Sequence, residues 1–262
     1  MNSASSFDAM GSSINPLADR IAVVTGASRG IGYAAALALA EAGAHVVAVA
    51  RTVGGLEELD DAIRARGGAA TLVPLDLKDS PAIDRLGAAI YERWGKLDML
   101  LGNAGVLGVV TPLGHLEPKV FEEVMAVNVT ANWRLIRSLD PLLRQSDAGR
   151  ALFVTSGAAE RCRPYWGAYS ASKAALQALV KTYAGELKGT RATVNLIDPG
   201  PLRTKMRAQG RPGEDPETLE QPKAVAPDIV RMLSADYVAT GVIFRFPDHS
   251  TTELLRPIES SD

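Results

Sequence analysis

Tyr169 and Lys173, in Tyr169-Ser170-Ala171-Ser172-Lys173, open an Ala-rich stretch with a strong helical pattern. Residues at i and i+4 lie on one helix face and reach each other. A lysine ammonium beside a phenol favours the phenolate and lowers its pKa from about 10, so the tyrosine can give or take a proton near neutrality. The same spacing also fits a surface pair on an exposed helix. Ser156 ends the apolar run Ala151 to Thr155, where its hydroxyl can hydrogen-bond a substrate oxygen. Asn128, in Val127-Asn128-Val129, falls in an apolar part of the long helical pattern Phe121 to Leu143. A buried amide there needs partners; it also fits a residue that caps or kinks the helix. The chemistry these groups suit is proton transfer at an oxygen held by two hydroxyls.

A second group of residues suits a phosphate. Thr25-Gly26-Ala27-Ser28-Arg29-Gly30-Ile31-Gly32 lies between the apolar run Ile21 to Val24 and an Ala-rich helical pattern reaching Ala42. A strand, a glycine turn and a helix start, in that order, present backbone N–H groups and the positive end of a helix to an anion. The glycines allow a sharp turn, a close backbone approach to a pyrophosphate, and tight helix–strand packing. The spacing Gly26-x3-Gly30-x-Gly32 differs from the commoner G-x-G-x-x-G and, by itself, also fits an ordinary strand-to-helix loop.

The elements that must position these groups follow from the pattern. Apolar, β-branched runs at Ile21 to Val24, Val46 to Val49, Ala70 to Leu75, Leu97 to Leu101, Ala151 to Thr155, Thr193 to Ile197 and Val242 to Phe246 alternate with helical stretches. Alternation of this kind predicts an α/β, single-domain Rossmann fold, a doubly wound parallel sheet of about seven strands with helices on both faces. Ligands bind such sheets beyond the C-terminal strand ends. The residues after each run are therefore the candidates: the glycine loop, then Asp76-Leu77, whose carboxylate can accept from an adenine amino group, then Asn103-Ala104-Gly105, a turn with little side chain to pack, then Ser156.

Taken together and in order, Thr25 to Gly32, Asp76, Asn103-Ala104-Gly105, Asn128, Ser156, Tyr169 with Lys173, and Pro199-Gly200 followed by Thr204 resemble the short-chain dehydrogenase/reductase family over nearly all of the chain from Arg20 to about Phe246. The resemblance implies that Tyr169 is the general acid/base, that Ser156 orients the reacting oxygen, and that Lys173 binds the nicotinamide ribose while lowering the Tyr169 pKa. Asn128 is then expected to hold a water that relays protons to Lys173. Cofactor contacts are expected from Gly26, Ser28, Arg29, Gly30, Ile31, Gly32, Arg51, Asp76, Leu77, Asn103, Ala104, Gly105, Tyr169, Lys173, Pro199, Gly200, Leu202 and Thr204. The implied reaction is hydride transfer between a nicotinamide and a small-molecule carbonyl or secondary alcohol.

Arg51 stands at the end of the second strand, where family members that use NAD carry an acid, and Arg29 stands in the glycine loop. A guanidinium fork matches a 2′-phosphate, which favours NADP(H), with NAD(H) as the alternative and solvated arginines as the bland reading. Residues 203–222 fall where the family carries a substrate lid; its charges are either solvated or, in their basic half, meet an anionic substrate or carrier. Within the family a 3-oxoacyl thioester reductase is one specialisation; outside it the rival is a non-catalytic nucleotide-binding sensor or scaffold on the same fold. Two departures stand out: Gly102 precedes Asn103, and Phe246-Pro247-Asp248-His249 replaces the family's Asp-Gly-Gly ending. The latter weakens the expectation of a tetramer, while the Ala-rich face of the Tyr169 helix fits a homodimer.

The 262 residues carry 28 Lys and Arg against 30 Asp and Glu and are 47% hydrophobic, which argues against a nucleic-acid or anionic-membrane partner. The three histidines and one cysteine give no metal-ligand spacing,. With Cys162 alone and no signal-peptide pattern, a cytoplasmic location is expected. Residues 1–17 read as a flexible leader, 18–250 as the domain and 251–262 as a tail.

Overall fold

Short runs of Val, Ile, Leu and Ala form strands when both faces of a sheet are covered, and that is where these runs lie. The computed structural model describes residues 15–254. In chain order the elements are β1 (Ile21–Thr25), α1 (Gly30–Glu41), β2 (His45–Ala50), α2 (Val53–Arg64), β3 (Ala70–Pro74), α3 (Ser80–Trp94), β4 (Met99–Gly102), α4 (Pro118–Met125) and α5 (Ala131–Gln145). There follow β5 (Arg150–Val154), α6 (Ala158–Arg161), α7 (Gly167–Glu186), β6 (Thr193–Asp198), α8 (Lys205–Gly210), α9 (Ala226–Leu233), β7 (Val242–Arg245) and β8 (Ser250–Glu253).

The strands form one sheet in the order β3-β2-β1-β4-β5-β6-β7-β8, parallel except for β8. All seven apolar runs are strands. The eighth differs from the expectation of about seven. It pairs antiparallel with β7 after a turn through His249 (φ +53°), is largely exposed, and runs from Ser250 into the segment expected to be a tail. Two apolar layers sandwich the sheet, one centred on Leu135, Leu139, Leu176 and Val180, the other on Leu39, Leu56, Ile229 and Leu233.

The expected leader falls outside the described residues up to residue 14. Its last residue, Leu17, is fully buried, and its N–H donates to the Ala42 carbonyl at 2.9 Å. The strand order reverses between β1 and β4, so the crevice for a ligand opens at the C-terminal ends of these two strands,.

Candidate active site

Tyr169 and Lys173 lie one turn apart near the start of α7 and are 8% and 3% exposed. The Lys173 ammonium donates to the Val154 carbonyl at the end of β5 at 2.8 Å and lies 5.7 Å from the centroid of the Tyr169 ring. Ser156, two residues beyond β5, is half-buried beside the phenol, and its Oγ accepts from the Ala158 N–H at 3.2 Å. Strand β5 thus anchors the lysine and delivers the serine. The structure brings Ser156, Tyr169 and Lys173 together.

Their protonation corrects one expectation. Burial pushes the Tyr169 phenol up to about 12; the Ser156 hydroxyl pulls against this and the charge of Asp198 adds to it. Burial likewise brings Lys173 down to about 8, with Asp198 opposing the fall. Withdrawal from water therefore outweighs the lysine's expected lowering of the phenol.

Asn128 sits in a π-helical turn, Ala126–Thr130, that interrupts the helical pattern between α4 and α5. It is fully buried, and its side chain is committed. Oδ1 accepts from the Val106 N–H at 2.8 Å, and Nδ2 donates to the Val106 carbonyl and the Ser172 Oγ, each at 2.9 Å. Its carbonyl accepts from Asn132 Nδ2 at 2.8 Å. The amide ties the loop after β4 to the helix bearing Tyr169 and Lys173.

The glycine loop fits a phosphate. Gly26 and Gly30 have φ of +66° and +60°, a left-handed backbone that favours glycine,. A Cβ on Gly32 would run into the Gly26 carbonyl and the Asn103 amide. Arg29 caps α1 without a side-chain hydrogen bond, leaving the helix's first N–H groups for an anion,. A Cβ on Gly30 would stand 3.7 Å from the Thr204 methyl, so Thr204 faces the loop across the cradle. Ser28 lies against Gly55 of α2, and Ile31 packs into the core layer containing Leu39.

Thr25 and Asn103 clip the two sides of the crevice together. Thr25 Oγ1 accepts from the N–H groups of Asn103 and Ala104 at 3.0 and 3.1 Å, and Asn103 Nδ2 donates to the Thr25 carbonyl at 2.8 Å. A Cβ on Gly105 would be 3.3 Å from Asn128 Oδ1 and 3.7 Å from Lys173 Nζ, which places this turn beside both residues. Arg29 and Arg51 are exposed and form no ion pair among the described residues. Asp76 is half-buried, with Oδ1 accepting from the Lys78 N–H at 3.0 Å, and Leu77 is buried. After Pro199, Gly200 turns at φ +64°, and Leu202 is buried beneath the segment leading to Thr204.

Sequence reasoning missed Asp198. It closes β6, is 7% exposed, accepts from the Gly200 N–H at 3.0 Å, and acts electrostatically on both Tyr169 and Lys173. The available signal was a carboxylate ending an otherwise apolar strand just before the Pro-Gly turn. Also missed was Leu107, which packs with Ala158 and Tyr169 and is joined there by Trp166 and Met206. Cys162 is an exposed thiol that closes α6 in a left-handed conformation.

A parallel sheet with this order, a glycine cradle at its reversal point and a buried Tyr-Lys pair beside a serine define a nucleotide-dependent oxidoreductase class. A family model, short chain dehydrogenase, matches residues 20–215. The chain belongs to the short-chain dehydrogenase family. It is 38% identical over 223 residues to the uncharacterized oxidoreductase YciK of Escherichia coli K12, covering 84% of this chain and 88% of that protein. It is 33% identical over 226 residues to a chloroplastic NADPH-dependent aldehyde reductase-like protein of Arabidopsis thaliana, covering 81% and 82%. A short chain dehydrogenase of Shigella flexneri 2a strain 301, solved in complex with NADP, superposes with a TM-score of 0.86 at 37% identity, covering 90% of this chain and all of that one.

Proposed function

We propose that this protein is an NADP(H)-dependent reductase that interconverts a carbonyl and an alcohol, with Tyr169 as the group that exchanges the proton. The observation that carries the reading is the buried phenol of Tyr169, with Ser156 beside it and Lys173 behind it, at the mouth of a glycine cradle. The relatives support it: one is an NADPH-dependent aldehyde reductase-like protein by name and one was solved with NADP.

The residues present fit a dinucleotide. The open N–H groups of α1 and the turn at Gly26 to Gly32 would hold the pyrophosphate, Arg29 and Arg51 a 2′-phosphate, Asp76 the adenine, and Lys173 with Tyr169 the ribose next to the nicotinamide. When bound, the cofactor supplies or accepts the hydride.

The chain's own part is proton handling and orientation. A phenol held near 12 stays protonated at neutral pH, so Tyr169 is a donor ready for a carbonyl oxygen that gains negative charge. Ser156 is the second donor to that oxygen. Paired, preorganised donors of this kind usually supply the largest share of rate enhancement. Lys173, with its pKa brought to about 8, carries its charge at neutral pH beside the phenol, an arrangement that stabilises negative charge on Tyr169 once the proton has left.

The test is calorimetric titration with NADPH and with NADH, followed by an aldehyde and ketone panel with the wild-type protein and Tyr169→Phe. Tighter binding of NADPH, and turnover that drops by about a hundredfold or more in Tyr169→Phe while NADPH binding is kept, are the expected results. Tighter binding of NADH would overturn the cofactor assignment, and near wild-type turnover in Tyr169→Phe would overturn the mechanism.

A further inference from the structure

Besides Ser156 and Lys173, the reactive phenol is packed by apolar side chains. Leu107 and Ala158, 4% and 9% exposed, form one buried cluster with Tyr169, and Trp166 and Met206 pack against it. The Trp166 ring meets Tyr169 edge-on with 6.0 Å between centroids. Over this cluster lies α8, whose position two contacts fix. Gln209 Nε2 donates to the Gly108 carbonyl at 2.9 Å. Gly210 is buried, and a Cβ there would be 2.8 Å from the Trp166 ring and 3.1 Å from Leu107. Only a residue without a side chain lets the helix come so close.

The apolar character continues outward. Val109, Leu113 and Tyr165 are 55%, 71% and 58% exposed, and the Thr111 N–H donates to the Tyr165 carbonyl at 3.0 Å, joining the loop after β4 to the segment before α7. That segment has two non-glycine residues in left-handed backbone, Cys162 at φ +42° and Tyr165 at φ +75°. Such strain persists only where surrounding structure holds it and is concentrated at binding sites. Large apolar side chains left in water at the mouth of a site mark the path of an apolar ligand.

The lid's charges do not offer the alternative. Arg207 is held bidentately by Glu214, and Arg203 pairs with Glu217 at 2.8 and 3.0 Å. Arg203 and Arg207, two of the four cations in residues 203–222, are thereby neutralised by the acidic half of that segment. An anionic carrier would have to displace those carboxylates. Lys205, Arg161 and Arg163 are exposed and Arg211 forms no ion pair among the described residues; these are the cations that a charged substrate would have to use.

We propose that the site takes an uncharged aldehyde or ketone with an extended apolar body, which runs from Tyr169 past Trp166 and Leu107 toward Leu113 and Tyr165. This substrate class rests on the carbonyl-reductase reading, and the experiment separates the two. Straight-chain aldehydes from propanal to octanal and their terminal carboxylate counterparts are compared by kcat/KM. The primary amides of the same lengths, whose carbonyl is not reduced, are titrated calorimetrically into the protein with and without NADPH.

The expected result is a rise in kcat/KM, and a matching tightening of amide binding, of about fourfold per methylene until the chain reaches the rim, since each buried methylene contributes about that factor. The carboxylate forms should be poorer by tenfold or more. Leu113→Asp, a change at a largely exposed position, should flatten the rise for the longer chains. A flat series in both measurements, or a preference for carboxylates or acyl thioesters, overturns the proposal even where Tyr169-dependent turnover is present. Amides that tighten with length while no aldehyde is reduced uphold the apolar site and overturn the carbonyl-reductase reading instead.

Discussion

Lys173→Met should abolish catalysis and, at neutral pH, make the protein without nucleotide more stable. Burial brings the lysine from its ordinary 10.5 to about 8. That fall of about 2.5 corresponds to about 3 kcal/mol at 1.36 kcal/mol per pH unit. The sign follows from which state holds the proton. Between pH 8 and 10.5 the unfolded chain keeps a proton the folded protein has released, so stability rises with pH across that window, and below pH 8 the full penalty is present. Methionine removes the penalty but leaves the Val154 carbonyl without its donor, a loss of about 1–2 kcal/mol. The variant should therefore be more stable than wild type by about 1–2 kcal/mol at pH 7. The order should reverse above about pH 10, where only the lost hydrogen bond remains. Urea unfolding of both proteins from pH 7 to pH 10.5, in the absence of nucleotide, measures the difference. A variant less stable at pH 7, or a gap that does not change with pH, would refute the reasoning.

Gly32→Ala should fail to give a stable fold, because its Cβ meets the Gly26 backbone and the Asn103 amide in a place where neither can retreat; a thermal midpoint near that of wild type would contradict this. Arg51→Asp should weaken NADPH binding by about 10- to 100-fold, the worth of a charge-assisted hydrogen bond, while NADH binding changes far less; titration with both cofactors decides it. Asp198→Asn removes a charge that raises both Tyr169 and Lys173, so the pH limbs of kcat/KM should move to lower pH; an unchanged profile would confine Asp198 to holding the Gly200 turn.

The strands were legible because a strand buried on both faces must be apolar throughout, and even β3, partly exposed at the sheet edge, keeps an apolar run. The eighth strand, Ser250–Glu253, had no such signature: an exposed edge strand needs no apolar face, and its partner is fixed by a turn. The helical pattern from Phe121 to Leu143 gave the helices but not the π-helical turn between them, since one extra residue in a turn leaves the apolar periodicity almost intact,. Within the site, residue types and order were enough to select Ser156, Tyr169 and Lys173. The direction of the tyrosine's pKa was not legible, because spacing shows that two groups can meet while only the fold shows how far both are removed from water. Asp198 was passed over because its role depends on two residues of α7 that only the fold brings within reach of its charge.

The two ends of the sheet treat buried charge differently, and this supports the proposed location of the active site. At the N-terminal strand ends Asp98 is fully buried, yet it accepts from the Ile21 N–H at 2.9 Å, the Ser146 hydroxyl at 2.5 Å and the Lys96 ammonium at 3.1 Å. Arg150, 4% exposed, donates to the carbonyls of Gly149, Arg191, Ser234 and Ala235. Buried charges satisfied on every side hold a structure together, and breaking them costs stability. At the C-terminal ends Lys173 has one carbonyl partner among the described residues, and Tyr169 has the neighbouring Ser156. Those groups stay buried with donors to spare and shifted pKa values, a condition a core would not retain for stability and one that a reacting oxygen and a bound nucleotide relieve. The asymmetry lies along the strands themselves: substitutions at Asp98 or Arg150 should cost folding stability, whereas those at Tyr169 or Lys173 should, on the proposed function, cost turnover without costing stability at neutral pH.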